Sequence, residues 1–362
     1  MPPRVDSDGR GQTASEEFSD DLAAVTTRAT ERRLIEIIRR ASTRGAGVRV
    51  GIGDDCAVLE PGAGRLVLAT TDLLVEDVHF RRRYTTAADL GWKSLAVNLS
   101  DVASMGGRPR WALVALACPE DVTMEEAEGF YAGMLELARA HDVAVVGGDT
   151  SASPRGWVVN VTLLGEAVRA PVLRSTAKPG DLVAVTGALG RAAAGLAVLE
   201  RGAAPAGVAA GELDDVKTAH LRPTPRVSEG QWLAGAGGVT AMIDLSDGLA
   251  TDLGHLCEES RVGAGVEVDR LPLHAGARAV AAALGADPRA WATGGGEDYE
   301  LLVTCHPGAF ARLGEGLATA TGTRLTAIGE LGPAAEGVRY RDAAGREIAV
   351  APGFEHFVTG PL

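Results

Sequence analysis

The chain has 362 residues, 46% of them hydrophobic and 23% charged, which is the profile of a globular protein long enough for two domains of ordinary size. A net charge of −13 works against DNA and anionic membranes, and an aromatic content of 4% works against a stacking platform for single-stranded nucleic acid. No apolar run approaches the ~20 residues of a membrane span, and the four cysteines (Cys56, Cys118, Cys257, Cys305) form no CxxC pair, so a reducing cytoplasm is the expected compartment.

The first thirty residues are polar, lack the apolar core of a secretory signal, and read as a disordered tail. ERRLIEIIRR then predicts an amphipathic helix. Arg65–Thr71 reads as a strand, Ala87–Met105 as a helix, Trp111–Ala117 as a buried strand and Glu125–His141 as a second long helix. Two short strands, Val143–Val146 and Trp157–Glu166, are expected on either side of Gly147-Gly148-Asp149. The turn RSTAKPGD leads into the strand LVAVTG and a helix over Arg191–Arg201. LRPTPRVSEGQWLA, the strand TAMID, a helix from Asp247, the strand GVEV and the segment ATGGGEDYELLVT follow. Alternating strands and helices predict an α/β (α+β) protein. The expected division is a tail over 1–30, one domain over 31–168 and a second over 169–362. NLSDVASMGG and IDLSDGLATDLG share Leu-Ser-Asp, a faint internal echo placed at a helix in both cases.

Acidic residues stand beside glycines and element ends: Asp54 and Asp55 in GIGDD, Asp72 and Asp77 in TTDLLVED, Asp101 in NLSD, Asp149 in GGDT, Asp244 and Asp247 in IDLSD, Glu297 and Asp298 in GGGEDYE. Any one of them is better explained by local turn hydrogen bonding or, for Asp244 and Ser246, by helix capping. As a set they suit Mg²⁺, a hard cation that takes carboxylates, phosphates and water. The hydroxyls of Thr70, Thr71 and Ser246 stand beside them as additional oxygen donors. The Walker pattern is absent, and the carboxylates of GIGDDC would repel a pyrophosphate unless metal intervened. Arg174 and Lys178 are candidate phosphate contacts, whereas Arg81-Arg82-Arg83 reads as a solvated or subunit-facing charge run. Lys93 reads as a support for neighbouring acids, and His79 as either structural or substrate-facing.

GIGDDCAVL, TTDLLVEDVHF, WKSLAVNLSDVASMGGRP, VGGDTS, RSTAKPGD, IDLSDGLATDLGH, GGGEDYEL and GFEHF, in that order, resemble the thiamine-monophosphate kinases of the aminoimidazole ribonucleotide synthetase superfamily. The resemblance implies a two-domain α/β fold with an N-terminal mixed sheet that forms a barrel across a homodimer. It implies transfer of phosphate from ATP to thiamine monophosphate, with several Mg²⁺ ions and ATP as co-substrate. By position Asp55, Thr70, Thr71, Asp72, Asp101, Asp149, Asp244 and Asp247 would hold the metals. Tyr131, Gly148, Asp149, Arg174 and Ser246 would contact ATP; His79, Glu297 and Phe354 would contact thiamine monophosphate. Relatives carry a large aromatic where this chain has Ala351-Pro352. Since the acceptor is a phosphate oxygen already ionised near neutral pH, direct in-line transfer with no protein base is expected. The alternatives are another ATP-using synthetase of the superfamily, a metal-dependent phosphatase or a non-catalytic nucleotide-binding scaffold.

Overall fold

A computed structural model describes residues 48–62 and 65–354. The tail, the ERRLIEIIRR segment and the end of GFEHF lie outside them.

The N-terminal half is built on a six-stranded mixed sheet in the order β1-β2-β3-β6-β4-β5. Its strands are β1 (Val48–Val50), β2 (Ala57–Gly62), β3 (Arg65–Val75), β4 (Arg108–Cys118), β5 (Ala144–Ala152) and β6 (Val158–Glu166). Helix α1 (Ala87–Ser104) lies on one face, with α2 (Met124–Ala140) packed against it. Both helices start where side chains satisfy the first free N–H groups. Thr86 accepts from the Asp89 amide, and Thr123 and Glu126 form a reciprocal capping box. The two helices touch through glycines: a Cβ on Gly91 would sit 1.9 Å from the Phe130 carbonyl, and one on Gly133 1.9 Å from that of Ala88.

Because the described helices cover only one face, the expected buried strand over Trp111–Ala117 is half-buried. Ala112, Val114 and Leu116 enter the core, while Trp111 and Leu113 (42% exposed) face outward with Leu73 (52%). A second correction concerns Gly147-Gly148-Asp149, which lies inside β5 and not between strands. Gly148, at φ 156°, lets β5 run against β4 where a Cβ would meet the Val114 carbonyl at 1.8 Å.

The C-terminal half has its own six-stranded sheet, β12-β9-β11-β7-β10-β8. The strands are β7 (Leu182–Thr186), β8 (Val239–Asp244), β9 (Val262–Glu267), β10 (Leu301–Cys305), β11 (Leu325–Pro333) and β12 (Val338–Arg341). Alternate residues serve two apolar layers. Val183, Val185 and Ile243 pack under α6 (Leu249–Ser260) and α8 (Pro288–Gly294), while Ala184, Met242 and Val303 pack under α5 (Val227–Ala236) and α9 (Phe310–Thr321). Helices α3 (Arg191–Arg201), α4 (Ala210–Leu221) and α7 (Ala275–Leu284) form a separate cluster around Val198, Leu213, Val216 and Val280.

Helix α4 has no counterpart in the sequence reading, since its apolar stripe is only Leu213, Val216 and the last residue, Leu221. The helix expected from Asp247 starts at Leu249, because Gly248 holds φ 106° and cannot join it. The shared Leu-Ser-Asp is not structurally equivalent: the first copy lies inside α1, the second runs from the end of β8 into a loop.

Helix α1 also makes contacts between the halves. A Cβ on Gly230 of α5 would sit 1.9 Å from the Ala103 carbonyl. Lys93, Ser94, Asn98, Ser100 and Ser104 are all buried on this helix, which is why it is not the simple amphipathic stripe of a surface helix.

Candidate active site

Three carboxylates from three distant segments meet at the junction of the halves. Asp55 follows β1, Asp101 sits on α1 and Asp244 ends β8, and each offers an oxygen within 4.8 Å of the others. Thr70 of β3 donates its hydroxyl to Asp101, and Ser100 Oγ donates to Asp244 Oδ2 at 2.6 Å. Asp55 Oδ2 is buried with no hydrogen-bond partner among the described residues. Asp72, two residues from Thr70 on the same face of β3, adds its charge to the group.

Such crowding is costly for bare anions. Burial pushes Asp101 and Asp244 well above the usual carboxylate range, and neighbouring aspartates add to it. Asp72 rises to about 6 through burial and the charge of Asp55. Asp54 rises to about 7 through burial and Asp55, despite the nearby Arg174. Arg174 supplies the local counter-charge: its guanidinium pairs with Asp55, and its backbone amide donates to Asp54 Oδ2 at 3.2 Å. Its carbonyl accepts from Ser260 Oγ at 2.6 Å, which anchors the turn to α6. An all-oxygen donor set, with the carboxyls of Asp72, Asp101 and Asp244 raised and an unpartnered buried oxygen on Asp55, fits a hard divalent cation.

Thr70 and Thr71, both expected among the donors to several ions, look to opposite sides of β3, because adjacent strand residues face opposite ways. The Thr71 hydroxyl lies on the uncovered face of the sheet, bonded to Asn160, Thr162 and the Val161 carbonyl. Asp149 pairs in register with Ala115 and is exposed on that same face. With β6 and β4 between β3 and β5, Thr71 and Asp149 of one chain are roughly 14 Å apart. Gly148 lies beside Asp149, and Tyr131 is half-buried on α2 with its ring edge-on to Phe130. Nor do the acids all stand at element ends: Asp72 is inside β3, Asp101 inside α1 and Asp149 inside β5.

Asp247 and Ser246 belong to the loop after β8, and neither caps α6. Asp252 does so instead, accepting from the Asp247 and Gly248 amides at 3.1 Å. This loop is zipped to the GGGEDYE segment: the Glu297 amide donates to the Ser246 carbonyl at 2.7 Å, and that of Tyr299 to Leu245 at 2.9 Å. The Asp247 carbonyl also accepts from the Phe354 amide at 2.9 Å, which draws the C-terminal segment to the same place. Asp298 caps α3 by accepting from the Gly190 and Ala192 amides.

Glu297 adopts φ 69° and its carboxylate has two partners, Lys93 Nζ at 2.6 Å and His220 Nδ1 at 2.9 Å. Burial raises its pKa, but Lys93 and His220 outweigh burial and bring it down to about 2. Burial, with Lys93 beside it, lowers the pKa of His220. His79, in the turn after β3, accepts from the Val75 amide through Nδ1 at 2.9 Å. In the charge run Arg81-Arg82-Arg83 the last two residues are exposed, as the solvated reading expected, and all three are ion-paired. Arg81 and Arg83 pair with Glu200 of α3, and Arg82 pairs with Asp121 and Glu126. His220 and Asp252 were missed from sequence; the only signal was a polar residue within a short apolar repeat.

Comparison with known proteins agrees with this geometry. Residues 53–167 match the family described as AIR synthase related protein, N-terminal domain, and residues 178–340 match its C-terminal domain. The thiamine-monophosphate kinase of Bacillus subtilis is 40% identical over 272 residues, spanning 75% of this chain and 82% of that one. That of Escherichia coli K12 is 38% identical over 317 residues, spanning 86% and 93%. Among solved structures, AaThiL complexed with AMPPCP and TMP superposes with a TM-score of 0.79 at 33% identity, covering 92% of this chain and 100% of that one. With this identity and coverage, and with both domain matches, the chain belongs to the thiamine-monophosphate kinase family.

Proposed function

We propose that this chain transfers the terminal phosphoryl group of ATP to the phosphate of thiamine monophosphate, forming thiamine diphosphate. The observation that carries this reading is the meeting of Asp55, Asp101 and Asp244 at the junction of the halves, in a chain related to these kinases over most of its length.

The roles follow from placement. Asp55, Asp72, Asp101 and Asp244 would hold Mg²⁺, with Thr70 and Ser100 orienting two of them; Asp247 lies in the adjoining loop. When bound, these ions would neutralise the two polyanionic reactants and orient them for in-line displacement. Arg174, now paired with Asp55, would turn to the nucleotide phosphates together with Ser246. Glu297, His79 and Phe354 would form the end of the site that takes the acceptor. No protein base is assigned, because the attacking phosphate oxygen is ionised near neutral pH. Thr71 and Asp149 lie on the other sheet face, with Gly148 beside Asp149, and would join the site from there, whereas Tyr131 would reach it from α2.

We assign the metal-binding and dimerisation part to 31–168 and the part that completes the site to 169–362. The exposed apolar residues Leu73, Trp111 and Leu113 support a homodimer built on this sheet. No helix among the described residues is long and apolar enough to cross a membrane, and the four cysteines are free, which supports a cytoplasmic placement.

ATP consumption with and without thiamine monophosphate tests the function. ADP and thiamine diphosphate should form together, only with both substrates and Mg²⁺, and free thiamine should be a poor acceptor. ATP hydrolysis that ignores thiamine monophosphate would favour the phosphatase reading. Chiral γ-phosphate should invert, and retention would point to a phospho-aspartate instead.

A further inference from the structure

Lys93 is 1% exposed in the middle of α1, a position where a helix buried on all sides would be served as well by leucine. Burying an ammonium group is unfavourable unless it is paired, and a buried ion pair is seldom retained for stability alone. Here the pairing is specific. The Lys93 ammonium lies 2.6 Å from Glu297 Oε1 and 3.5 Å from the carbonyl of His79. It therefore joins the two residues assigned above to the acceptor, which come from opposite halves of the molecule.

The other Glu297 oxygen is held by His220 Nδ1 at 2.9 Å, so both oxygens are fixed by partners on different helices. His220 is itself positioned. Its ring lies edge-on to Tyr84 at 6.2 Å, and the Tyr84 hydroxyl donates to Glu200 Oε1 at 2.9 Å. Glu200 also takes Arg81 and Arg83, which fasten the turn that carries His79 to helix α3. The chain of contacts therefore closes on itself, from His79 through Lys93, Glu297, His220, Tyr84 and Glu200 back to the His79 turn.

From this closed set of contacts we propose that Lys93, with His220, is a positioning residue for the acceptor. It holds Glu297 and His79 in register, so that the organic part of thiamine monophosphate meets a prearranged carboxylate and turn. The proposal rests on the reading of Glu297 and His79 as acceptor contacts. Lys93 and His220 are both engaged by Glu297, the residue assigned to the acceptor, so their loss should act on acceptor recognition and not on nucleotide binding.

Initial rates over both substrates, for Lys93→Met, Lys93→Arg, His220→Phe, Glu297→Gln and the neutral pair K93M/E297Q, test this. Lys93→Met should raise the KM for thiamine monophosphate about tenfold or more, with the KM for ATP within about twofold of the original. Lys93→Arg should recover part of that loss. The double variant should be no worse than the poorer single one, as expected for residues acting as one unit. His220→Phe keeps a ring against Tyr84 but removes the donor to Glu297. It should show the same selective rise and provides the test even if Lys93→Met fails to fold. An unchanged acceptor KM in Glu297→Gln would refute the underlying assignment of the site. A selective rise in Glu297→Gln, but equal changes in both KM values or none for Lys93→Met and His220→Phe, would refute the positioning role alone.

Discussion

The Ser100 hydroxyl on α1 donates to the Asp244 carboxylate at the end of β8, at 2.6 Å, so a helix of one half holds an acid of the other. Both groups are buried. Ser100→Ala leaves the carboxylate without this donor, at a cost of about 1–3 kcal/mol. Alanine's better helix propensity returns roughly 0.5 kcal/mol. Urea denaturation should show a lower midpoint with an unchanged slope. Stability equal to that of the parent would mean that the contact contributes nothing.

Asp101→Asn should separate stability from activity. It removes the cost of keeping at this place an acid whose pKa burial, with the charges of Asp72, Asp244 and Asp55, pushes well above the usual range, while the amide oxygen can still accept from Thr70. The metal-free protein should therefore melt several degrees higher. Turnover should fall on the order of 100-fold, the scale of losing one electrostatic contact in an active site. Calorimetry with MgATP showing undiminished affinity, together with full turnover, would remove Asp101 from the site.

The raised aspartates give the metal-free protein an inverted acid response. Asp54 titrates near pH 7 and Asp72 near pH 6 when folded, against an ordinary 3.8. Between those values the folded chain holds protons that the unfolded chain has released. The protonated groups favour the fold at low pH, and that contribution is lost as pH rises through the folded values. In EDTA the melting temperature should decline from about pH 4 to pH 7. Glu297, depressed to about 2, acts below that window. With Mg²⁺ the decline should disappear, because the cation favours the ionised acids. A melting curve that rises with pH in EDTA would contradict this account.

Leu113→Asp tests the dimer. Leu113 projects from β4 on the uncovered sheet face, so the substitution leaves the core untouched. Light scattering at micromolar concentration should give the mass of a dimer for the parent and of a monomer for the variant. A monomeric parent would mean that this face serves another purpose.

Much of the frame was legible because local patterns set it. The Ala87–Met105 helix is bounded by the Thr86 cap and by Gly106 at φ 68°, and the observed helix ends one residue earlier. Motif order pointed to Asp55, Asp101 and Asp244, which the fold does bring together. Facing was less legible. Thr70 and Thr71 are neighbours in sequence, but only strand register shows that they look away from each other. Asp149 belongs to a strand edge that spacing alone placed in a loop. Lys93 was recognised as a support for acids but not which one, because its partner Glu297 lies two hundred residues away in a loop with left-handed backbone. Helix α4, which supplies His220, has too few apolar residues to announce itself.

Helix α1 has a dimensional consequence. Lys93 and Asp101 lie eight residues apart on one helical face, so the rise of the helix separates their positions by about 12 Å. The first meets the GGGEDYE loop and the second meets the carboxylates of Asp55 and Asp244. One rigid rod thus works as a ruler between the two ends of the site, and both ends touch the C-terminal half. A hinge that opened that half would break contact at both marks together. On the proposed reading, the distance between the metal-holding end and the acceptor end is therefore set by about two turns of helix.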